Sequence, residues 1–508
     1  MEPVFKPYNQ NQLMLLPPSL EELVPKNHPV RVINKVVDKL TIDNILKQYE
    51  GGGTSSYDPR MLLKVLIYSY MINTYSSRKI ERLLHENVHF MWLSGMQTPD
   101  HNTINRFRSE KLKGILKPLF AEIVLMMHQA GYLDIKEIYT DGTKIEANAN
   151  KYTFVWGRAI KTRREKILSQ IHELWQYAEN VALRELPDTM PTTYEEITPE
   201  KIETAIENIN NSLKGQKVEP KIKQKLNSIK KKWPQKLREY QGMEEILKER
   251  NSYSKTDNDA TFMRMKEDHM MNGQLKPGYN WQISTNNQYI VNYSVHQTPS
   301  DTVTFQEHIE EYQTLYNMLP ENVTADAGYG SEENYEFAEQ NNIEAFVKYN
   351  YFHKEQTKKW LNDISKSENY FYNQQEDCLY CPIGQKMHRI DTKTTTTKTG
   401  YKQTIASYQA QNCGNCPLRP ACHKSSTNRI VEVNHNVRRH RAKAKERLMS
   451  EEGLIKRSHR SIEPEPVFGN IKHNKKFKRF NLKGKTKVEI EIGLISIAHN
   501  LSKLSKIA

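Results

Sequence analysis

The chain has few cysteines, no long hydrophobic run and no recognisable leader among its 508 residues. Its most apolar stretch, Leu119 to Met127, includes Glu122 and falls well short of the roughly 18 apolar residues that span a membrane. The N-terminus lacks a basic segment followed by an apolar one, so we expect no signal peptide. These absences argue against a membrane protein or a secreted protein and predict an intracellular one.

The aromatic content argues against a wholly disordered chain, because 27 Tyr, 14 Phe and 6 Trp provide ample surface for burial. A chain of this length exceeds the usual size of one core, which predicts roughly two to four domains. Three aromatic residues, Trp156, Tyr279 and Trp281, have the chemistry to stack on unpaired bases. A place in the core is the alternative for each of them.

Positive charge is concentrated at the C-terminal end. Residues 438–508 carry 19 Lys and Arg against 7 Asp and Glu, while the formal net charge of the whole chain is +14. A basic segment of this kind indicates a polyanionic partner, with nucleic acid as the main candidate. The alternative is a solvated basic face that only aids solubility.

Residues 58–110 predict a compact unit of three short helices. Asp58 and Pro59 begin the first, and Thr98-Pro99-Asp100 precede the third, HNTINRFRSEKL. A polar third helix that carries arginine is typical of helix-turn-helix DNA readers, although an ordinary helical bundle has the same spacing. The side chains that we expect this third helix to expose are Thr103, Asn105, Arg106 and Arg108.

Strand and helix patterns then alternate and predict a mixed α/β sheet. An amphipathic helix is predicted over 111–131, followed by a strand over 137–147. A charged segment, about 158–250, predicts an inserted helical hairpin. The later predicted elements are a hairpin turning at Asn286-Asn287, a helix from Asp301, a strand in NVTADAG, a helix from Ser331, a strand in IEAFVKYN, and helices over 463–475 and 486–504.

Three acidic residues lie on separate predicted elements. Asp141 is on the first strand, Asp326 ends a later strand, and Glu465 begins a predicted helix that also carries Lys472. Carboxylates at the carboxyl end of strands face the crevice where α/β sheets bind ligands. Three acids among basic residues suit two-metal phosphoryl transfer, because Mg²⁺ prefers carboxylate oxygens.

Each acid taken alone has a simpler interpretation as a turn residue or a helix cap. Asp301, which follows Ser300 before a predicted helix, is better explained as an N-cap than as a ligand. Glu463 competes with Glu465 for the helical position, since only Pro464 separates them. The acids alone do not decide between these interpretations.

All five cysteines lie in one segment and form two C-x₂-C pairs and a single residue: Cys378, Cys381, Cys413, Cys416 and Cys422. In an intracellular chain this clustering predicts a tetrahedral structural Zn²⁺ rather than disulfides. Four ligand positions leave one thiol surplus, and His423 is a further candidate ligand. Buried free thiols are the alternative.

Four separated blocks resemble bacterial insertion-sequence DDE transposases, in the order found in that family. The block YDPRMLLKVLIYSYMINTYSSRKIERLLHENVHFMWLSG, with PDHNTINRFR after it, resembles their N-terminal domain. The blocks YTDGTKIEANANK, TADAGYGS and EPVFGNIK, the last followed by FKRFNLKGKTKVEIEIGLISIAHNLSKL, resemble the three acid-bearing blocks. The resemblance covers nearly the whole chain.

The resemblance implies a ribonuclease-H-like core with Asp141, Asp326 and Glu465 as the catalytic, metal-binding triad. Glu465 is preferred over Glu463 because the family acid precedes an apolar-Phe-Gly segment and a lysine seven positions on, here Lys472. Many relatives place an arginine four residues before the acid, where this chain has Ser461, so Arg460 is the nearest basic residue. Lys472 and Arg460 are therefore the implied DNA contacts near the triad.

The family also implies partners and cofactors. These are double-stranded DNA, as terminal repeats and as target, two catalytic Mg²⁺ or Mn²⁺ ions, and a structural Zn²⁺ held mainly by the last four cysteines. The implied activity is DNA cleavage and strand transfer by a homodimer in the bacterial cytoplasm, at the nucleoid. A DNA-binding regulator without catalysis and a metal-dependent nuclease without strand transfer are the alternatives.

We expect the following division of the chain. It comprises an N-terminal helix-turn-helix-like domain (1–110), a linker helix with the first core strand (111–157), a charged helical insertion (158–255), the continued catalytic core (256–350), a cysteine-rich zinc-ribbon-like insertion (351–437) and a basic C-terminal part of the core with the catalytic Glu (438–508).

Overall fold

A computed structural model of the protein describes residues 19–49, 56–183, 186, 190–191, 193, 196–265 and 273–507. Its α-helices are α1 (Leu20–Leu23), α2 (Pro29–Lys39), α3 (Asp43–Leu46), α4 (Pro59–Met71), α5 (Ser77–Glu86), α6 (Val88–Ser94), α7 (His101–Arg106), α8 (Leu116–Gln129), α9 (Gly157–Ala182), α10 (Pro199–Ser212), α11 (Pro220–Leu247), α12 (Phe305–Tyr316), α13 (Glu332–Gln340), α14 (Lys358–Leu361), α15 (Arg419–Cys422), α16 (His435–Met449), α17 (Glu451–His459), α18 (Pro464–Gly469) and α19 (Lys485–Leu504).

The strands are β1 (Glu137–Glu146), β2 (Phe154–Trp156), β3 (Ser252–Ser254), β4 (Thr261–Arg264), β5 (Leu275–Asn286), β6 (Tyr289–His296), β7 (Asn322–Ala325), β8 (Glu344–Val347), β9 (Phe371–Asn373), β10 (Cys378–Tyr380), β11 (Lys386–Thr396), β12 (Lys402–Ala410) and β13 (Ile430–Val433). Short π-helical turns cover Phe107–Lys111 and Asn470–Asn474, and 3₁₀ turns cover Ala327–Tyr329, Lys354–Gln356, Ser367–Asn369 and Arg460–Ile462.

The central sheet has six strands and is mixed. Its order is β4-β5-β1-β7-β8, with β6 paired to β5. The pairs around β5 are antiparallel, whereas β1, β7 and β8 run parallel to one another. The β5–β6 hairpin turns at Asn287 and Gln288, both with positive φ, one position beyond the predicted turn. The predicted mixed α/β class is confirmed, with a ribonuclease-H-like core and added helical parts.

The N-terminal helices and the central sheet share one hydrophobic core. α4 and α19, which are buried over most of their length, pack against each other, and α19 also packs on β6 and α8. Inside this layer, Tyr70 donates a hydrogen bond to the fully buried Glu491 at 3.1 Å. Asp58 caps α4 through the N–H groups of Arg60 and Met61, as the sequence predicts. The packing therefore joins the N-terminal helices firmly to the core.

The charged insertion has a hydrophobic core of its own, formed by apolar faces of α9, α10 and α11. The sequence predicted a two-helix hairpin here, and the structure adds α10 between the two long helices. Tyr279 and Trp281 are fully buried in the main core, so the core interpretation of these aromatics is correct. Trp156 is half-buried at the base of the insertion.

The cysteine-rich segment forms a five-stranded antiparallel sheet in the order β13-β12-β11-β10-β9. The threonine-rich run 392–400 forms the end of β11 and the tip of the β11–β12 hairpin. This sheet contacts α13, the helix that follows Asp326. There, the buried carboxylate of Glu332 accepts hydrogen bonds from the side-chain amides of Gln403, Asn434 and Asn436.

Several predicted helices differ from the structure. The unit over 58–110 was predicted with three helices and has four, because α6 forms between the second and third. The predicted third helix, α7, ends at Arg106 and continues as a wide π-helical turn, and the helix predicted over 463–475 also divides into α18 and a π-helical turn. α16 and α17, which carry much of the basic charge near the C-terminus, were not predicted. No helix in the described ranges is both long and apolar enough to cross a lipid bilayer.

Candidate active site

Asp141 and Asp326 lie side by side because of the parallel register of β1 and β7. The last registered pair of these strands is Tyr139 with Thr324, and each aspartate follows two residues later on its own strand. The Asp141 side chain is buried and accepts a hydrogen bond from the N–H of Gly142 at 2.8 Å. Asp326 leaves the end of β7 and accepts a hydrogen bond from the N–H of Gly328 at 2.8 Å. Both carboxylates therefore have a fixed orientation.

Glu465 reaches the same place from α18. This short helix lies on the sheet because Phe468 packs edge-to-face on Trp281 of β5, with ring centroids 5.7 Å apart. Burial of this face of α18 leaves Glu465 exposed on the side of Asp141 and Asp326, where it meets the same arginine, Arg460. The competing acid, Glu463, faces away and accepts a hydrogen bond from the N–H of Gln288 at 2.9 Å. Burial raises the pKa of Glu463.

A single guanidinium group contacts all three acids of the predicted triad. Nη2 of Arg460 lies 3.7 Å from Asp141 Oδ2 and 3.5 Å from Asp326 Oδ2. Nη1 of the same side chain lies 3.4 Å from Glu465 Oε1. Because α17 and the 3₁₀ turn at 460–462 precede α18 directly, Arg460 and Glu465 approach the strand ends together. The sequence-predicted acids therefore converge around one positive charge.

The donor set fits a hard divalent cation. Carboxylate oxygens are the ligands that Mg²⁺ prefers, and the three carboxylates already surround a cationic group. In the part of the chain that the structure describes, no three His, Cys, Asp or Glu side chains are spaced so that they could hold a metal ion. The acids thus share a guanidinium here and are not arranged as a closed metal cage.

A buried polar network supports the loop that carries Asp326. Tyr329, three residues later, donates a hydrogen bond to Oε1 of the fully buried Gln282. The amide nitrogen of Gln282 donates to Asp301 Oδ1 at 2.9 Å, and Asn280 donates to the same oxygen at 2.7 Å. Burial and the negative charges of Asp301, Asp141 and Asp326 raise the pKa of Tyr329 well above its usual value. The network links β5 to the turn after β7.

The interpretation of Asp301 as an N-cap is wrong. α12 begins at Phe305, so the Asp301 side chain lies before the helix and accepts hydrogen bonds from β5 instead. Sequence reasoning also missed Gln282 and Tyr329. Polar residues at every second position of β5, namely Asn280, Gln282 and Ser284, were the available signal, since alternation places them on one face of the strand.

The residues of the third predicted helix that were expected to contact DNA differ in exposure. Asn105 and Arg106 are exposed on α7, and Thr103 is half-buried beside them. Arg108 is buried, so its predicted exposure is wrong. Its guanidinium donates to the Tyr70 hydroxyl at 3.2 Å and to the Tyr75 carbonyl at 2.7 Å. The π-helical turn at 107–111 directs Arg108 into the core.

Lys472, the other basic residue implied near the triad, lies in the π-helical turn after α18. Its side chain is buried and is engaged within the protein. Arg460 is therefore the basic residue of this pair that the structure places directly at the acids.

Four of the five cysteines line one small cavity in the cysteine-rich sheet: Cys381, Cys413, Cys416 and Cys422. His423 lines the same cavity, and both of its ring nitrogens are buried without a hydrogen-bond partner among the described residues. Cys378 is directed elsewhere, since its thiol donates to Glu376 at 3.6 Å. Cys422 Sγ accepts a hydrogen bond from Arg429 Nη1 at 2.8 Å. This arrangement makes Cys378 the outlying thiol.

Two parts of the chain, one near each end, match known protein families. Residues 18–110 match the family described as transposase domain (DUF772), and residues 380–505, which include Arg460 and Glu465, match the transposase DDE domain. No curated protein and no solved structure matches the chain. The two matches lie in the order that the sequence blocks predicted. Two separate parts of the chain are thus similar to transposase families, which supports the resemblance to insertion-sequence DDE transposases.

Proposed function

We propose that this transposase binds the terminal repeats of its own element, cleaves the DNA there and joins the freed ends to target DNA. The observation that carries the proposal is the convergence of Asp141, Asp326 and Glu465 on Arg460. Three carboxylates beside basic groups at the carboxyl edge of a sheet suit phosphoryl transfer, in which charge develops on oxygen atoms.

Asp141, Asp326 and Glu465 would hold two Mg²⁺ or Mn²⁺ ions. The chemistry that such ions supply when bound is activation of the attacking water or hydroxyl and neutralisation of charge on the leaving oxygen. The protein holds Asp141 and Asp326 in place through the N–H groups of Gly142 and Gly328. Their fixed orientation lowers the cost of ordering the site when DNA binds.

Arg460 and the exposed polar side chains of α7 are the proposed DNA contacts. Arg460 lies among the acids, where its planar guanidinium suits a phosphate oxygen pair. Thr103, Asn105 and Arg106 lie on a helix within the DUF772 match, and Asn105 and Arg106 are exposed to solvent. The side-chain oxygen of Asn105 accepts a hydrogen bond from Arg108 at 3.1 Å, which leaves its amide group for DNA. Lys472 remains in the proposal because of its spacing from Glu465, although its side chain is buried in the free protein.

Labelled duplex DNA from the element ends tests the proposed reaction. We expect the wild type, with Mg²⁺, to yield both cleaved and joined products, and Asp326→Asn to yield neither because a carboxylate of the triad is lost. Asp391→Asn is the matched control, since Asp391 lies exposed on the cysteine-rich sheet. Cleavage without joining favours the nuclease alternative. DNA binding without any cleavage in Mg²⁺ or Mn²⁺ favours the non-catalytic regulator.

We also propose a structural Zn²⁺ held by Cys381, Cys413, Cys416 and Cys422. All four line one cavity and Cys378 lies outside it, which supports this choice of ligands. Their thiols are not spaced as a closed metal site among the described residues, so they would have to approach one another when the ion binds. Metal analysis of the purified protein tests the proposal: we expect about one zinc per chain, as for a tetrahedral thiolate site. Cys416→Ser should lose the metal and Cys378→Ser should keep it. Equal zinc content in the two variants contradicts this ligand set.

Two copies of the protein are proposed to act together, one on each end of the element. A two-fold assembly brings two terminal repeats together, which joining of both ends to one target requires. Light scattering of the protein with end DNA tests this, and a complex of one chain per duplex at all concentrations contradicts it.

A further inference from the structure

Lys348 lies at the same edge of the sheet as the acids, although no sequence block identified it. β7 and β8 are parallel, and their last registered pair is Ala325 with Val347. The next residues on these two strands are Asp326 and Lys348. The three adjacent strands β1, β7 and β8 therefore place Asp141, Asp326 and Lys348 in one row across the sheet.

The backbone around Lys348 is fixed by close packing. Tyr335 donates a hydrogen bond to the Val347 carbonyl at 2.9 Å. Gly330, in the turn after Asp326, lies so close that a Cβ added there would be 2.2 Å from the Lys348 carbonyl oxygen. Only glycine permits this approach. The turn that carries Asp326 and the strand end that carries Lys348 are therefore held against each other.

The electrostatic surroundings of Lys348 are those of the active site. Burial and the positive charges of Arg460 and Arg457 lower its pKa, while the charges of Asp326 and Glu465 act in the opposite direction. Arg457 already has partners within the protein: it donates a hydrogen bond to the Leu448 carbonyl at 2.9 Å, and its guanidinium lies over the Phe352 ring.

Two buried lysines, Lys456 and Lys475, have partners within the protein. Lys456 forms an ion pair with Glu137 at 2.9 Å, and Lys475 donates to the Met71 carbonyl at 3.0 Å. The half-buried Lys348 differs: among the described residues, its ammonium group has no ion-pair or hydrogen-bond partner. A cation that is partly desolvated without a protein partner carries a cost that an anionic ligand can offset.

We propose that the ammonium group of Lys348 binds a non-bridging oxygen of the scissile phosphate. The inference rests on the proposed DNA cleavage at Asp141, Asp326 and Glu465 and adds a fourth residue to that site. Lysine suits this role because its ammonium is a compact charge with three donors. In this position it would hold the phosphate beside Asp326 and stabilise the negative charge on it.

Coupling between Lys348 and the phosphate charge tests the proposal without requiring cleavage. Binding is measured in Ca²⁺ with element-end duplexes that carry either a normal phosphate or an uncharged methylphosphonate where the element joins flanking DNA. We expect Lys348→Ala to weaken binding of normal DNA about tenfold, as for one lost charged hydrogen bond. We expect the methylphosphonate to weaken wild-type binding about as much. The Lys348→Ala variant should bind methylphosphonate DNA only slightly more weakly than it binds normal DNA.

Additive losses contradict the proposal, because they indicate that Lys348 acts independently of that phosphate. Lys354→Ala, an exposed lysine on the adjacent 3₁₀ turn, is the matched control and should keep the full methylphosphonate effect. Lys348→Arg should restore part of the coupling. Failure of the wild type to cleave in Mg²⁺ contradicts the proposed function but leaves the coupling measurable. Absence of wild-type binding contradicts both.

Discussion

Asp141, within β1, and Asp326, just after β7, lie at the same level on adjacent parallel strands, and one guanidinium nitrogen of Arg460 contacts both carboxylates. Glu465 contacts the other terminal nitrogen of the same group. Because Asp141 is buried, an uncompensated negative charge there would be costly. The guanidinium therefore balances the charge of the acids in the free protein.

Removal of Arg460 should destabilise the protein most when divalent ions are absent. We expect Arg460→Met to lower the free energy of unfolding by about 1 kcal/mol, an amount that allows for solvent screening of Asp326 and Glu465. Urea denaturation with and without Mg²⁺ measures the effect, and Mg²⁺ should recover part of the loss. Arg439→Met is the control, because Arg439 pairs with the exposed Glu339 away from the site. An equal response of both variants to Mg²⁺ contradicts this account.

Tyr329→Phe should destabilise the protein and slow cleavage. The buried Gln282 Oε1 would lose its donor, which costs about 1–3 kcal/mol, and the turn after Asp326 would be less well held. Thermal unfolding and single-turnover cleavage measure the two effects. Tyr289→Phe is the matched control. Tyr289 is equally buried, but its hydroxyl has no hydrogen-bond partner among the described residues, so its loss should be nearly neutral. Equal effects of the two substitutions would argue against the network.

Glu332→Ala should loosen the cysteine-rich sheet from the core. The variant removes an acceptor that three side-chain amides share, two of them from the segment after β13 and one from β12. Hydrogen exchange of residues 402–436 should increase at least several-fold, while exchange in β1 and β5 stays unchanged. Glu333→Ala is the control, because the Glu333 carboxylate accepts a hydrogen bond from Thr399 at the hairpin tip and none of the three amides. Uniform exchange changes across both regions would point to global destabilisation instead.

Stability should fall as the solution is acidified from pH 6.5 to pH 4. Burial lowers the pKa of His499 from 6.5 to about 4, and it lowers the pKa of His308 well below its usual value. Between these pH values the unfolded chain binds protons that the folded protein does not, so each histidine costs about 1 kcal/mol per pH unit. Urea denaturation at several pH values measures the slope. His499→Gln should reduce the slope, and an unchanged slope in that variant contradicts the assignment.

Sequence reasoning predicted the acids because their signals are local. β1 and the strand before Asp326 have strand-like composition, and the acid-bearing blocks resemble a family in order. The exposure of Arg108 was predicted wrongly because the periodicity of 3.6 residues per turn does not hold through a π-helical turn. This turn directs the Arg108 side chain into the core. The position of Lys348 could not be predicted, since it depends on the order and register of strands distant in sequence. For Gln282, alternation along β5 predicts the face of the strand but not the partners Tyr329 and Asp301.

The measurement that tests the central claim most directly compares two acids that are two residues apart. Glu465 contacts Arg460 at the triad, whereas Glu463 is bonded to the N–H of Gln288 outside it. We predict that Glu465→Gln abolishes Mg²⁺-dependent cleavage and joining of element-end DNA while DNA binding is retained. Glu463→Gln, which can still accept the hydrogen bond from Gln288, should keep both activities. Loss of activity in Glu463→Gln with normal activity in Glu465→Gln would contradict the assignment of the active site.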